Sequence, residues 1–444
     1  MDNSLHTRFL PAIVVLAACL AGSALGAQSA QPATAVAQGL QPASPSAVTT
    51  YTLPPDRYQK ARSLGRIRLW ATLVAFVWGV AALWVVLRWR VSAKFRTWAE
   101  KASGRRFVQA LVFTPPLVLA IDVLELPLQA FRNWILFRYG LSVQSWASWF
   151  GDWMIGEAVS VVIATIVVWI LYAVIRKAGR RWWFYFWLAS LPMGLVLIFL
   201  QPLVIDPLFY KFEPLAQKEP ALTASLEQMV TKAGAEIPPE RMFWMGASEK
   251  LTALNAYVTG FGASKRIVVW DTTIKRMATP QIVLVAGHEM GHYMLGHIPK
   301  LLAGGAVALF VLFYLAYRTI DWILARWGSG WGVRGLDDWA SLPALLLLFS
   351  IFSFVVTPAA SAFSRHYEHE ADQYGLEVTH GLTPDAAQAC AQAFQILGDV
   401  NLADPEPSPV AVFLYYDHPT PADRMQFCQS YDPWSNGGRG EFVQ

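Results

Sequence analysis

Gln281-Ile282-Val283-Leu284-Val285-Ala286-Gly287-His288-Glu289-Met290-Gly291-His292 is an apolar run that ends in two histidines and a carboxylate. Thr279-Pro280 ahead of it reads as an N-cap followed by Pro at the first helical position, so a helix opens here and runs to about His297. His288 and His292 are then i and i+4 on one face. Both imidazoles reach one tetrahedral metal, and Glu289 beside them can take the proton of an attacking water. The apolar residues before the motif mark the helix as buried, where two His and a Glu are costly without a partner. A solvated polar face fits such a helix poorly. His297 lies about a turn and a half beyond His292, off the ligand face, and reads as structural.

A catalytic zinc needs a third protein ligand and an open position. Ser364-Arg365-His366-Tyr367-Glu368-His369-Glu370-Ala371-Asp372 is dense in donors. Glu368 and Asp372 share a face at i, i+4, and Glu370 points away from both. A ligand next to an acid that orients a ligating His is a familiar pairing. Spacing therefore favours Glu368 as ligand and Asp372 as orienter, with His366, His369 and Glu370 as alternatives.

The rest of the chain is largely membrane sequence. Of 444 residues, 55% are hydrophobic and 15% charged, with 20 Trp. Soluble chains carry about 25% charged residues, so the deficit indicates a membrane protein with aromatic belts. The net charge of +4 is small, and no basic tract interleaved with aromatics offers a nucleic-acid surface. Six apolar runs read as spans: Leu69–Leu87, Phe107–Ala130, Ala158–Ile175, Trp182–Ile205, Leu301–Tyr317 and Leu342–Phe363. Pro115, Pro127, Pro192 and Pro358 should kink or end these helices. Asp122 and Glu125 either face a bundle interior or sit at the interface.

Arg88, Arg90, Lys94, Arg96, Lys101, Arg105 and Arg106 follow the first span, and Arg176, Lys177, Arg180 and Arg181 follow the third. Both loops should be cytoplasmic. The loop around Trp134–Trp153, the segment Asp206–Lys300 and the tail after Phe363 should then lie outside. Residues 1–27 read as a signal peptide or signal anchor, which requires the same sidedness. Leu16-Ala17-Ala18-Cys19 also resembles a lipoprotein processing box. The expected layout is a disordered linker over 28–60, a four-span membrane domain over 61–205, a first metalloprotease segment over 206–300, two spans over 301–363, and a second segment over 364–444. In the soluble part, Leu222, Leu226, Met229 and Val230 recur at helical spacing, and Met242–Met245 reads as a strand. Ala253–Thr259 and Arg266–Trp270 read as a hairpin joined through Gly260, Gly262 and Ser264. Ser364–Leu376 and a segment from Thr383-Pro384 to about Gly398 read as helices. The fold class is mainly α: a multi-span helical membrane protein with a zincin-like domain carrying a small β-hairpin or sheet.

Several motifs together resemble the CAAX prenyl endopeptidases of the sterile-24 type, integral-membrane zinc metalloproteases. They are Leu126-Pro127-Leu128 with Phe137-Arg138-Tyr139-Gly140-Leu141-Ser142, then Pro202-Leu203, Pro207-Leu208-Phe209 and Lys211-Phe212-Glu213-Pro214-Leu215. Asn255-Ala256-Tyr257 with Gly260, the two metal-site motifs, and His418-Pro419 with Arg424 complete the likeness, which covers most of the chain from about Pro54. The resemblance implies helices enclosing a chamber and one zinc ion (Zn2+) per chain, held by His288, His292 and Glu368. It implies that Glu289 is the base, that His418 stabilises the oxyanion, and that Arg424 supports the site. Asn255, Ala256 and Tyr257 would pair with an extended polypeptide substrate. The chain departs from the family in two ways. Eukaryotic members have seven spans and a cytosol-facing site, and the residue before His418, usually Ser, is Asp417 here. A signal of this kind looks bacterial, so the reaction carries over and prenylated substrates are not expected. The expected location is a bacterial inner membrane with the catalytic domain outside. A catalytically inactive membrane chaperone of the same fold is the alternative, and a metal transporter is a weaker one. Cys390 and Cys428 can form a disulfide in an oxidising compartment, with two free thiols as the alternative.

Overall fold

The computed structural model describes residues 48–260 and 264–443. The expected signal peptide, Cys19 and the first part of the linker lie outside the described residues, as does Gly262.

Five of the six expected spans lie within longer helices, and the fourth, Trp182–Ile205, is an α-helix to Leu200 that continues as a π-helical turn over Gln201–Ile205. The helices are α1 (Pro55–Arg88), α3 (Arg106–Arg138), α4 (Trp146–Ala178), α5 (Trp182–Leu200), α8 (His297–Ile323) and α9 (Leu342–Thr379), with a short α2 (Val91–Ala102) after the first. Among the described residues five helical segments are long and apolar enough to cross a membrane, and one of them, Trp146–Leu208, contains both α4 and α5. Gly179, at φ 52°, makes the tight turn between those two. The prolines end none of these helices: Pro115, Pro116 and Pro127 lie inside α3, Pro192 inside α5 and Pro358 inside α9. In a packed bundle the neighbours can re-satisfy the backbone groups a proline frees. Most of the expected loop around Trp134–Trp153 is also helix, with only residues 139–145 connecting α3 to α4. Asp122 is 2% exposed, so it faces the bundle interior.

The linker is shorter than expected. Tyr51 is buried, its hydroxyl donates to the Ala403 carbonyl at 3.0 Å, and α1 begins at Pro55. Gln429 Nε2 donates to the Val48 carbonyl at 2.6 Å. The chain just before the first span is therefore on the same side as the C-terminal segment, as an even number of intervening crossings requires. The basic loops gather at the opposite end. There Arg96 pairs with Asp338, Arg176 donates to the Asp337 carbonyl at 2.9 Å, and Arg334 meets Glu100 at 2.9 Å.

The extramembrane part is built on a four-stranded sheet, β1 (Phe212–Pro214), β2 (Met242–Met245), β3 (Ala256–Thr259) and β4 (Arg266–Trp270), in the order β1-β2-β4-β3. The hairpin forms as read, with Ala256 opposite Val269 and Thr259 opposite Arg266, although β3 starts at Ala256. β2 and β4 run parallel, and the buried Leu222, Leu226, Met229 and Val230 of α6 (Pro220–Lys232) share one apolar core with Met242, Ile267 and Val269 of the sheet. Among the described residues β3 pairs with β4 alone.

α7 (Thr279–Met294) carries the first motif. Its N-cap is Ala278, one residue earlier than expected, with the Gln281 side chain accepting the Ala278 N–H at 2.8 Å. The helix breaks at Gly296, in the left-handed region at φ 68°, and α8 starts at His297. The second motif does not sit on a separate helix. Leu342–Thr379 is one 38-residue helix, about 57 Å long at 1.5 Å per residue. The apolar half of α9 crosses the membrane and its polar half enters the metal site. α10 (Ala386–Val400) starts at the Asp385 cap, whose carboxylate accepts from Gln388 N, rather than at Thr383. It is followed by α11 (Pro409–Tyr415) and α12 (Pro421–Ser430). A Cys390–Cys428 disulfide ties α10 to α12, with both cysteines fully buried.

Candidate metal centre

The two motif helices cross where neither has bulk. A Cβ on Gly287 would stand 2.9 Å from Val378 Cγ1, and one on Gly291 2.9 Å from the Tyr374 Cβ. A Cβ on Gly375 would stand 3.0 Å from the His288 backbone nitrogen. This close approach lets a side chain from α9 meet two from α7. A backbone neighbour cannot swing aside, so Gly375→Ala must push the helices apart. We expect it to cost about 1–3 kcal/mol, read by thermal unfolding, and to weaken metal retention, since it moves Glu368 away from the histidines. Unchanged unfolding and metal content would show that the crossing is looser than this.

Across that contact, His288 Nε2 and His292 Nε2 are 3.2 Å apart. Glu368 places Oε2 3.3 Å from His288 Nε2 and Oε1 3.2 Å from His292 Nε2. Among the described residues these three form the only His/Cys/Asp/Glu group whose donor atoms converge closely enough for one metal ion. Glu368 is 4% exposed, and its Oε2 is buried without a hydrogen bond. A buried carboxylate oxygen facing two imidazole nitrogens is an acceptor whose chemistry suits a metal cation.

Each histidine has a second partner. His288 Nδ1 meets Asp372 Oδ1 at 2.8 Å, and Arg424 Nε donates to Asp372 Oδ2 at 2.8 Å. Arg424 is buried, with its guanidinium 4.0 Å from the centre of the Phe394 ring. Burial disfavours the His288 imidazolium, but the hydrogen bond and charge of Asp372, with Glu368, push its pKa up to about 9. His292 Nδ1 faces His297 Nδ1 at 3.1 Å, and His297 Nε2 meets Glu370 Oε2 at 2.8 Å. His297 and Glu370 are thus outside the triangle, as the helical face implied, yet both belong to the site. His366 is exposed, and His369 packs on the Phe427 ring, so neither joins it.

Glu289 sits on the α7 face next to the triangle. Burial raises its pKa above the usual carboxylate value, against the pull of the neighbouring His288 and His292. His418, from the turn between α11 and α12, brings Nε2 to 3.3 Å from Glu368 Oε2. Its Nδ1 meets Asp417 Oδ1 at 2.9 Å. Burial opposes the His418 charge, but Glu368 and Asp417 outweigh it and raise the pKa. The departure from Ser at position 417 therefore has a specific contact. Asn255 lines the same cleft as His288, Glu289 and His418. Its N–H donates to Thr273 Oγ1 at 2.7 Å, which anchors the start of edge strand β3. Ala256 is fully buried and Tyr257 packs with Tyr210 and Trp270, so of the three expected substrate-binding residues Asn255 is the one that lines the cleft. Beyond His418 lies a cavity of about 380 Å³, bounded by Phe131, Ile135, Leu397 and Tyr416.

Residues 37–211 match the family model described as the CAAX prenyl protease N-terminal region with five membrane helices. Residues 216–432 match that of peptidase family M48. A Bacillus subtilis (strain 168) protein, the uncharacterized metalloprotease YhfN, is 35% identical over 393 residues, 87% of this chain and 90% of its own length. The probable CAAX prenyl protease 1 of Schizosaccharomyces pombe is 25% identical over 86% of this chain and 81% of its own. The crystal structure of S. mikatae Ste24p superposes with a TM-score of 0.72 at 21% identity, covering 85% of this chain and 90% of that one. That likeness places the helical bundle and its domain in a membrane-chamber fold.

Proposed function

The chain belongs to peptidase family M48 as an integral-membrane metalloendopeptidase, and on that premise we propose a zinc enzyme that cuts membrane-associated, exported or misfolded polypeptides on the extracytoplasmic side of a bacterial inner membrane. The observation that carries the chemistry is the convergence of three donors: the Nε2 atoms of His288 and His292 lie 3.2 Å apart, and each lies 3.2–3.3 Å from one oxygen of the Glu368 carboxylate. Zinc–nitrogen and zinc–oxygen bonds of about 2.0–2.2 Å at tetrahedral angles put ligand atoms roughly 3.3–3.5 Å apart. His288, His292 and Glu368 therefore fit zinc.

When bound there, zinc would supply Lewis-acid polarisation of the scissile carbonyl and acidify the attacking water. Glu289 takes that water's proton and returns it to the leaving amine. His418 donates through Nε2 to the oxyanion, while Asp417 holds Nδ1–H and so sets the ring's rotation. Asp372 fixes His288 with Nε2 free to ligate, and Arg424 neutralises Asp372. An extended substrate backbone pairs with the open edge of β3 beside Asn255.

Three observations support the extracytoplasmic side. Basic loops gather at the far end of the bundle, the chain before the first span packs on the catalytic segment, and Cys390–Cys428 is a disulfide, which persists in oxidising compartments. The bacterial setting proposed here is not one in which prenylated substrates are expected, so CAAX processing, named for the fungal relative, is not part of the proposal. The inactive-chaperone reading is not favoured, because every chemical position is filled. Right-side-out vesicles carrying the chain should cleave an added unfolded exported protein and stop when a membrane-impermeant chelator is added. Cleavage by inverted vesicles alone would reverse the sidedness, and chelator-insensitive turnover would remove the zinc mechanism.

A further inference from the structure

We propose that His297 and Glu370 are positioning residues that lock the ring and tautomer of His292 for zinc binding, as Asp372 does for His288. This rests on the reading of His288, His292 and Glu368 as zinc ligands. The two Nδ1 atoms of His292 and His297 are 3.1 Å apart, so one must carry a proton and the other a lone pair. His292 turns Nε2 toward His288 and Glu368. To ligate from Nε2 it must carry its proton on Nδ1. His297 Nδ1 is then the acceptor, its proton sits on Nε2, and Nε2–H donates to Glu370 Oε2 at 2.8 Å. Each proton then has an acceptor, and no two donors face each other.

The ring of His297 is held independently of these bonds. It is 0% exposed and stacks on Tyr367 at 4.6 Å between centres. Its place is set by the backbone: Gly296 breaks α7 in the left-handed region, and His297 opens α8. Glu370 stands on α9 two residues beyond Glu368. The relay therefore joins the first residue of one spanning helix to the ligand-bearing part of another, with His292 between them. Losing such an orienting partner typically costs about 10–100-fold in metal affinity.

The test uses the purified full-length chain in detergent and reads zinc affinity by competition with a chelator. His297→Leu keeps an apolar side chain but removes the acceptor, and affinity should fall about 10–100-fold. His297→Asn places Oδ1 near the former Nδ1, can still accept from His292, and should recover most of that loss, although both variants lose the stack on Tyr367. Equal losses in the two variants would reduce the contact to packing and overturn the proposal, as would wild-type affinity in His297→Leu. If the leucine variant does not fold, Glu370→Ala at its half-buried site replaces it. A fall of roughly 10-fold supports the relay and no change overturns it. A wild-type chain that binds no zinc would remove the ligand reading itself, an outcome distinct from variants that match a zinc-loaded wild type.

Discussion

Glu289→Gln is expected to bind zinc normally, unfold at the wild-type temperature and lose about 10²–10⁴-fold in turnover. The substitution keeps the side chain's size and its place on α7 beside His288. It removes only the ability to accept a proton from the attacking water. No ligand is touched, because the donor triangle is made by His288, His292 and Glu368. Burial already disfavours the charged carboxylate of Glu289, and a neutral amide there has a smaller desolvation cost, so folding should not suffer. Loss of zinc in this variant would mean that Glu289 is itself a ligand. Turnover at the wild-type rate would mean that another group is the base. Steady-state turnover, metal content and thermal unfolding measured on one preparation separate these outcomes.

Arg424→Met should be the most destabilising single change at the site, by about 3–5 kcal/mol. Its guanidinium pairs with Asp372 through Nε and Nη2, and Nη2 also lies 3.8 Å from Glu368 Oε2. Both carboxylates are nearly dry, at 3% and 4% exposure. Methionine fills much of the volume over Phe394 but leaves Asp372 charged and buried with only His288 to face. The cost is the uncompensated charge, so Asp372→Asn in the same chain should return part of it, and the double variant should lose less than the sum of the singles. Arg424→Lys keeps the charge but cannot make two parallel bonds to one carboxylate, and should fall between wild type and Met. Additive losses would show that the pair is not coupled. The Cys390–Cys428 bridge, which fixes α12 against α10, should make reduced protein more sensitive to Arg424→Met than oxidised protein.

The chemistry was readable where it depends on spacing within one helix. His288 with His292, and Glu368 with Asp372, are i, i+4 pairs, and the structure brings both to one point. The β3–β4 hairpin is equally plain, because two short runs rich in β-branched and aromatic residues flank glycine. What local reading missed follows from backbone events it cannot see. His297 falls off the ligand face on any helix that continues through Gly296. One left-handed residue ends that continuity and turns the imidazole back onto His292. Glu370 points away from Glu368 and Asp372 as the helical period requires, and that is how it reaches His297. Composition ends the span at Phe363, just before the charged stretch that begins at Arg365, but a helix crossing from lipid into a folded domain changes composition without changing conformation, so α9 is unbroken. Composition extends the linker to residue 60, whereas Tyr51 is held by a distant carbonyl and α1 begins at Pro55. His418 could be placed only by resemblance. Nothing local in Asp417-His418-Pro419 indicates that it meets a residue 50 positions earlier.

The most direct measurement is X-ray absorption at the zinc edge on the purified wild-type chain. The expected result is one zinc per chain with two imidazole nitrogens and otherwise oxygen ligands. A chain without zinc, or a zinc bonded to sulfur, would contradict the assignment of His288, His292 and Glu368.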